Sequence, residues 1–344
     1  MPTSLRTHLE TWAGDDATCR AVAEVVNAIA DGARQLGDLV GLGALAGQME
    51  EIVGRNFDGD VQKVVDMRAH GLFHDVLART PGVAAMASEE ADEPVLVARG
   101  APLAVAIDPL DGSSNTDVNA AVGSIFAILP AKGPSLINTF LQPGSAQLAA
   151  GFTVHGPQTT LVLTVGLGTD IFTLDRRSGE FMLTAARVKL PQGNTEFSIN
   201  SSNYRHWDLA IRAYVDDCIA GADGPRGADF NMRWFACAVA EAYRILLRGG
   251  VYLYPGDRRT GMQNGRLRLI YEANPIAFCV EQAGGAATNG AERILDIVPA
   301  ALHQRTPLVF GSQDKVERVK RYVTGAFTLG ERSPLFGKRG LFRG

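Results

Sequence analysis

The sequence has few cysteines, and none is placed for a familiar metal or redox motif. Cys19, Cys218, Cys237 and Cys279 are scattered along 344 residues, and no two form a Cys-x-x-Cys pair. This spacing argues against a zinc ribbon or a thioredoxin-like site, so we expect free thiols in a reducing compartment. No arginine follows any of them after five residues, which excludes the phosphatases that use a cysteine nucleophile.

Long hydrophobic runs and blocks of like charge are also missing. The best apolar run, residues 103–107, is far shorter than the roughly 20 residues that cross a bilayer. Residues 1–12 lack the apolar core of a signal peptide. The formal net charge is −4 with no long basic run, which argues against nucleic acid or an anionic membrane as the main partner. We therefore expect a cytoplasmic protein.

The chain does contain enough apolar material for a large core, at 46% of residues. Its length exceeds that of one typical core, which favours two domains. Residues 16–36 and 61–77 have apolar residues at helical spacing, residues 103–184 read as short strands, and strands alternate with helices after about residue 191. This order predicts an α/β fold with a largely antiparallel first sheet. The predicted domains are residues 1–193 and 194–344, with a disordered tail after about residue 325.

The most informative segment is DPLDGSSN, residues 108–115, which follows the apolar run. A buried strand thus delivers Asp108 and Asp111 into a predicted tight turn in which Gly112 permits close backbone approach. Two carboxylates held together repel each other and raise each other's pKa unless a cation lies between them. A hard divalent cation such as Mg²⁺ prefers such oxygen ligands. The alternative for an isolated Asp-Gly pair is a plain surface turn.

Other acidic residues stand beside apolar segments elsewhere in the chain. Each alone also fits a solvated loop or an exposed helix position, but as an ordered set they are more specific. They are Glu89 and Glu90 after residues 83–86, Asp60 and Asp66 around the second helical segment, and Glu272 after residues 267–270.

From about residue 16 to residue 323 the chain resembles the class I fructose-1,6-bisphosphatases, members of the lithium-sensitive phosphomonoesterase superfamily. The DPLDGS string is typical of the superfamily. The likeness also includes residues 141–144. In the second half it includes residues 249–255, 267–275 and 303–305, which point to the bisphosphatases rather than to inositol monophosphatases. The resemblance implies a layered α-β-α-β-α sandwich and hydrolysis of fructose 1,6-bisphosphate, in gluconeogenesis or in carbon fixation.

The resemblance also implies roles for individual residues. Mg²⁺, with Mn²⁺ as a substitute, would be bound by Glu89, Asp108, Asp111, Glu272 and the Leu110 carbonyl. By the same resemblance, the positions that the family uses to activate the attacking water and manage its proton are matched by Glu90, Asp60 and Asp66.

The substrate would be held at two places. The backbone N–H groups and hydroxyls of Asp111, Gly112, Ser113 and Ser114 suit the phosphate that is cut; alternatively, the two serines only cap a helix. The resemblance assigns the second phosphate to Asn200, Arg233, Tyr254 and Arg266. Arg233 matches an arginine that the family donates across a subunit interface, which implies a homo-oligomer, expected to be a tetramer.

The match to the family has departures. Arg266 stands where lysine is usual, and Trp234 where animal members have a tyrosine. Pro102, Leu103 and Pro130 occupy the positions that bind inhibitory AMP in animal enzymes, so AMP inhibition by that route is not expected. The cysteine-bearing loop of the light-regulated chloroplast form is also absent.

Other functions stay open from the sequence. One alternative is a related Mg²⁺-dependent phosphatase acting on inositol phosphate, a nucleotide 3′-phosphate or sedoheptulose 1,7-bisphosphate. The other is a sugar-phosphate sensor without catalysis.

Overall fold

The computed structural model describes residues 3–55, 61–132 and 135–325. Asp60 and the predicted disordered tail lie outside the described residues. The described chain forms seven α-helices: α1 Leu5–Ala13, α2 Ala17–Gly41, α3 Val64–Ala78, α4 Leu209–Ile219, α5 Ala238–Arg248, α6 Asn274–Gln282 and α7 Gln313–Val323. None of the described helices is both long and apolar enough to cross a membrane.

The strands of the first half are β1 Ile52–Arg55, β2 Val61–Lys63, β3 Val83–Ser88, β4 Val95–Leu96, β5 Leu103–Asp111, β6 Gly123–Pro130, β7 Ala149–His155, β8 Thr159–Thr164, β9 Thr169–Asp175 and β10 Glu180–Ala185. Eight of them form one sheet in the order β10-β9-β8-β7-β6-β5-β3-β4. Neighbours are antiparallel except for β3 and β5, which are parallel. Helices α1 to α3 bury their apolar faces against one side of this sheet.

The strands of the second half are β11 Glu196–Ser198, β12 Asn231–Arg233, β13 Val251–Tyr254, β14 Leu267–Arg268, β15 Ala286–Thr288, β16 Arg305–Thr306 and β17 Leu308–Gly311. Five of them form a mixed sheet in the order β12-β11-β13-β17-β15. Helices α5 and α6 lie between the two large sheets, and α4 and α7 cover the outer face of the second one. The layers therefore run α-β-α-β-α, which confirms the predicted fold class; the division into two domains stays a prediction.

Three predicted elements differ at their ends for local reasons. The expected helix over residues 61–77 begins instead at Val64, because the Lys63 N–H donates to the Asp66 carboxylate at 2.8 Å and caps it. The helix expected from Arg233 begins at Ala238, after a loop in which Ala236 has a φ of 56°. The strand expected over residues 267–270 ends at Arg268, where the π-helical turn Leu269–Ala273 leads into α6.

Candidate active site

Three carboxylates from distant parts of the chain converge at one end of the first sheet. Oxygens of Glu89, Asp108 and Glu272 lie within 4.8 Å of one another. Strand pairing explains the positions of Glu89 and Asp108. Strands β3 and β5 are parallel and Ser88 pairs with Ile107, so the residue that follows each of them carries its carboxylate to the same end of the sheet. Glu272 arrives on the π-helical turn before α6. The predicted convergence of these three residues is therefore present in the structure.

The segment that carries Asp108 and Asp111 is a bulged strand, not the predicted tight turn. Asp108 pairs with Ile125 and Asp111 with Gly123, so one extra residue is accommodated on β5. Leu110, inside the bulge, donates its N–H to Asp108 Oδ1 at 3.0 Å. The bulge changes the direction of the side chains just where the apolar strand ends.

The three clustered carboxylates are costly to ionise together. Burial, followed by the charges of Glu89, Asp111, Glu272 and Glu90, raises the pKa of Asp108 well above its usual range. Burial and the charges of Glu89 and Asp111 likewise raise the pKa of Glu272. A divalent cation among the oxygens would remove both effects, since it favours the ionised forms.

Arg268 supplies a buried positive charge that the sequence analysis missed. Its side chain is 1% exposed, and its Nε lies 3.5 Å from Glu89 Oε1. Its backbone N–H donates to the Glu272 carboxylate, and its Nη1 donates to the His303 carbonyl at 3.3 Å. The sequence feature that points to this buried charge is an arginine within an apolar segment, four residues before Glu272. One guanidinium is too few to neutralise these three carboxylates, and Asp111 and Glu90 add further negative charge, so a bound cation would be favoured here.

Asp111 is held from the second half of the chain. Its Oδ2 accepts the Val239 N–H at 2.8 Å and the Cys237 thiol at 3.1 Å, both at the beginning of α5. Burial raises the pKa of Asp111, and the Val239 and Cys237 donors oppose that rise. Glu89, Asp108 and Glu272 form the cluster whose oxygens lie within 4.8 Å of one another, and Asp111 is not part of it. Metal binding by Asp111 and by the Leu110 carbonyl stays a prediction.

Of the residues assigned to water activation, Glu90 lies near enough to Asp108 for its charge to raise the pKa of that carboxyl. Gln62 on β2 donates to Glu90 Oε2 at 2.6 Å and to the Glu90 carbonyl at 3.1 Å. Asp66 is buried, and burial raises its pKa while the Lys63 N–H and the Ser113 hydroxyl oppose the rise. The Lys63 Nζ donates to the Ser113 carbonyl at 3.4 Å, so β2 and the beginning of α3 contact both sides of the site.

The segment after Asp111 forms a hydrogen-bonded turn, in which the Asn115 N–H donates to the Gly112 carbonyl at 2.7 Å. Gly112 has a φ of 77°, and Ser113–Asn115 make a single 3₁₀ turn rather than the beginning of an α-helix. The reading of the two serines as α-helix caps is therefore not supported. Asn115 donates through Nδ2 to the carbonyls of Ala121 and Phe235, each at 3.0 Å, which connects this turn to the loop before α5.

Three residues assigned to the second phosphate lie at the ends of adjacent parallel strands. Arg233 ends β12, Tyr254 ends β13, and Asn200 follows β11 between them. Side chains from neighbouring parallel strand ends meet at one edge of a sheet, the usual place for a ligand. Trp234 stacks on Tyr252 with ring centroids 6.1 Å apart. Arg266 is exposed and immediately precedes β14. The predicted phosphate contacts of these residues stay predictions.

Comparison with known proteins identifies the family. Residues 10–186 match the family model of the fructose-1-6-bisphosphatase N-terminal domain, and residues 190–324 match that of the C-terminal domain. The two matches together span most of the chain.

Relatives and solved structures agree with this assignment. A class 1 fructose-1,6-bisphosphatase of Nitrobacter hamburgensis is 55% identical over 99% of this chain and 98% of its own. One of Sinorhizobium medicae is 56% identical over 97% of this chain and 96% of its own. The holo crystal structure of Leishmania major fructose-1,6-bisphosphatase superposes with a TM-score of 0.87 at 31% identity, covering 94% of this chain and 99% of that one. The chain therefore belongs to the class 1 fructose-1,6-bisphosphatase family.

Proposed function

We propose that this protein hydrolyses D-fructose 1,6-bisphosphate to D-fructose 6-phosphate and phosphate, by direct attack of water and without a phospho-enzyme. Membership of the family supports the substrate. The observation that carries the chemistry is the cluster of half-buried Glu89 with buried Asp108 and Glu272, whose oxygens lie within 4.8 Å of one another. Uncatalysed phosphate monoester hydrolysis is among the slowest known reactions, so the site must supply a very large acceleration.

The family is one of metal-dependent phosphatases, and we propose Mg²⁺ as the metal, with Mn²⁺ as a substitute. The residues present fit such an ion: the donors are all oxygens, Asp108 and Glu272 are buried, and the carboxylates raise one another's pKa when no cation is bound. The proposed ligands are Glu89, Asp108, Asp111, Glu272 and the Leu110 carbonyl. When bound, the metal would neutralise charge on the transferring phosphoryl group and polarise the attacking water.

The chain's own residues would orient the reactants around that ion. We propose that Glu90 and Asp66 activate the attacking water and accept its proton. Gln62 donates a hydrogen bond to the Glu90 carboxylate and would orient it. The N–H groups of the turn from Gly112 to Ser114 would hold the phosphate that is cut. Asp60, which lies outside the described residues, stays the third residue proposed for water activation.

The distant phosphate would be held at the strand ends of the second sheet. We propose that Asn200, Arg233, Tyr254 and Arg266 bind it, with Arg266 offering a planar, two-pronged contact in place of the usual lysine. Arg233 is exposed on the edge strand β12, a position from which it could reach a neighbouring subunit. This placement supports the proposed homotetramer. The cytoplasmic location stays a prediction.

The proposed substrate predicts a clear order in a Mg²⁺-titrated phosphate-release assay. Fructose 1,6-bisphosphate is expected to be hydrolysed with a kcat/KM at least about a hundredfold above that for inositol 1-phosphate or a nucleotide 3′-phosphate. The reason is that these compounds leave the charged and polar groups of the second phosphate site without their phosphate partner. Sedoheptulose 1,7-bisphosphate belongs in the same panel because it also carries two phosphates.

Two results of that assay would contradict the proposal. Higher kcat/KM for inositol 1-phosphate would make the protein a phosphatase of a different substrate class. Binding of fructose 1,6-bisphosphate without Mg²⁺-stimulated phosphate release would make it a sugar-phosphate sensor.

A further inference from the structure

The second half of the chain contacts the carboxylate of Asp111 through a cysteine. Cys237 immediately precedes α5, and its Sγ lies 3.1 Å from Asp111 Oδ2. The backbone N–H of Val239, in the first turn of α5, donates to the same oxygen at 2.8 Å. Both donors therefore converge on one carboxylate oxygen, Oδ2.

The thiol is enclosed against the turn that it holds. Cys237 is 4% exposed. A Cβ atom at Gly112 would lie 2.8 Å from Cys237 Sγ and 2.9 Å from its Cβ, closer than van der Waals contact allows. Glycine at position 112, which also has a φ of 77°, is therefore what lets the cysteine pack directly on the backbone of the DGSS segment. The contact is built into both halves of the chain.

We propose that Cys237 is a positioning residue that fixes the orientation of Asp111 and thereby sets the affinity of the site for its divalent metal. Rotation of the Asp111 carboxylate would break the bonds from the thiol and from Val239 together. The two donors thus hold the carboxylate in one orientation, with Oδ2 against the beginning of α5. Groups that hydrogen-bond to metal ligands tune metal affinity by about 10–100-fold. This inference rests on the proposed function, because it takes Asp111 to be a metal ligand.

The test compares metal binding of the wild type with two substitutions at this position. Mn²⁺ titrated into the metal-free protein, followed by calorimetry, reports affinity without any need for turnover. Cys237→Ala removes the donor and is expected to weaken Mn²⁺ binding about tenfold, the lower end of the range for such partners because a thiol is a weak donor. Cys237→Ser restores a donor and is expected to stay within about threefold of the wild type.

Cys279 offers a matched control. It is fully buried in the same core cluster as Cys237, but its thiol lies 3.6 Å from the Ala150 carbonyl and contacts no carboxylate in the described part of the chain. Cys279→Ala is expected to leave Mn²⁺ affinity within about twofold of the wild type. If the Cys237→Ala variant does not fold, Cys237→Val repeats the test with the space filled and the donor still removed.

The possible results separate this inference from the function on which it rests. Equal Mn²⁺ affinities of the wild type and Cys237→Ala would overturn the role of Cys237 but would leave the proposed metal chemistry standing. Equal weakening by Cys279→Ala, or no rescue by serine, would overturn it too, since the effect would then reflect packing. A wild type that binds no Mn²⁺ would overturn the proposed metal chemistry as well.

Discussion

Replacing Asp108 with asparagine is expected to lower kcat for fructose 1,6-bisphosphate by at least about a thousandfold, because loss of a single partner of a metal ligand already costs about 10–100-fold in affinity or activity. Asparagine retains an oxygen that can accept the Leu110 N–H, which Asp108 accepts at 3.0 Å. The substitution therefore removes the charge and leaves the bulge of β5 in place. A phosphate-release assay at fixed Mg²⁺ measures the loss.

The same substitution is expected to stabilise the protein when no metal is present. Burial and neighbouring carboxylates raise the folded-state pKa of Asp108, so its contribution to stability is complete below the unfolded pKa and declines as pH rises through the folded pKa. Asparagine does not ionise and avoids that loss. The midpoint of thermal unfolding in chelator should therefore exceed that of the wild type, and by more at pH 8 than at pH 5.

A control variant makes this result specific. Asp75 lies on the exposed part of α3, with a side chain 67% exposed. Asp75→Asn should change neither kcat nor the midpoint appreciably. An Asp108→Asn enzyme with near-normal turnover, or one less stable than the wild type in chelator at pH 8, would contradict the assignment of Asp108 to a repulsive metal-binding cluster.

Removing the buried guanidinium of Arg268 is expected to have the largest effect on stability. Arg268→Met keeps most of the side-chain volume but leaves Glu89 and its neighbours without their internal cation. Breaking a buried charge pair by removing one partner costs about 3–5 kcal/mol. Urea unfolding in chelator should show a loss of that size, and the loss should shrink when Mg²⁺ is added, since the ion would supply the missing positive charge.

Arg266 provides the comparison for this second prediction. It lies two residues away but is exposed, so Arg266→Met should change the free energy of unfolding by no more than about 0.5 kcal/mol. Arg268→Lys should fall between, because it keeps the charge but loses the planar set of donors. Equal stabilities for the Arg268→Met variant and the wild type in chelator would show that the guanidinium does not offset the carboxylates.

Parts of the site that depend on strand ends could be predicted from the sequence. Glu89 and Asp108 each follow an apolar strand, and the fold class follows from the order of strands and helices. The contacts between the two halves could not be predicted in this way. Nothing in the local pattern shows that α5 begins at Ala238 rather than Arg233, with Cys237 and Val239 in contact with Asp111.

Arg268 was missed for a related physical reason. In the sequence, Arg268 stands in an alternating charged and apolar pattern, in which the charged side chains of a strand usually face solvent. The π-helical turn after Arg268 brings the Glu272 carboxylate to the Arg268 backbone N–H. The Arg268 side chain then lies beside the acidic cluster. Burial of a charge is decided by a tertiary partner, which periodicity alone does not reveal.

The account depends on a divalent cation binding among carboxylates that come from β3, β5 and the turn before α6. The most direct test is a crystal structure of the protein with Mn²⁺, in which anomalous scattering locates the ion independently of its surroundings. An anomalous peak is expected at direct bonding distance from oxygens of Glu89, Asp108 and Glu272. A fully occupied peak elsewhere, with these three carboxylates uncoordinated, would contradict it.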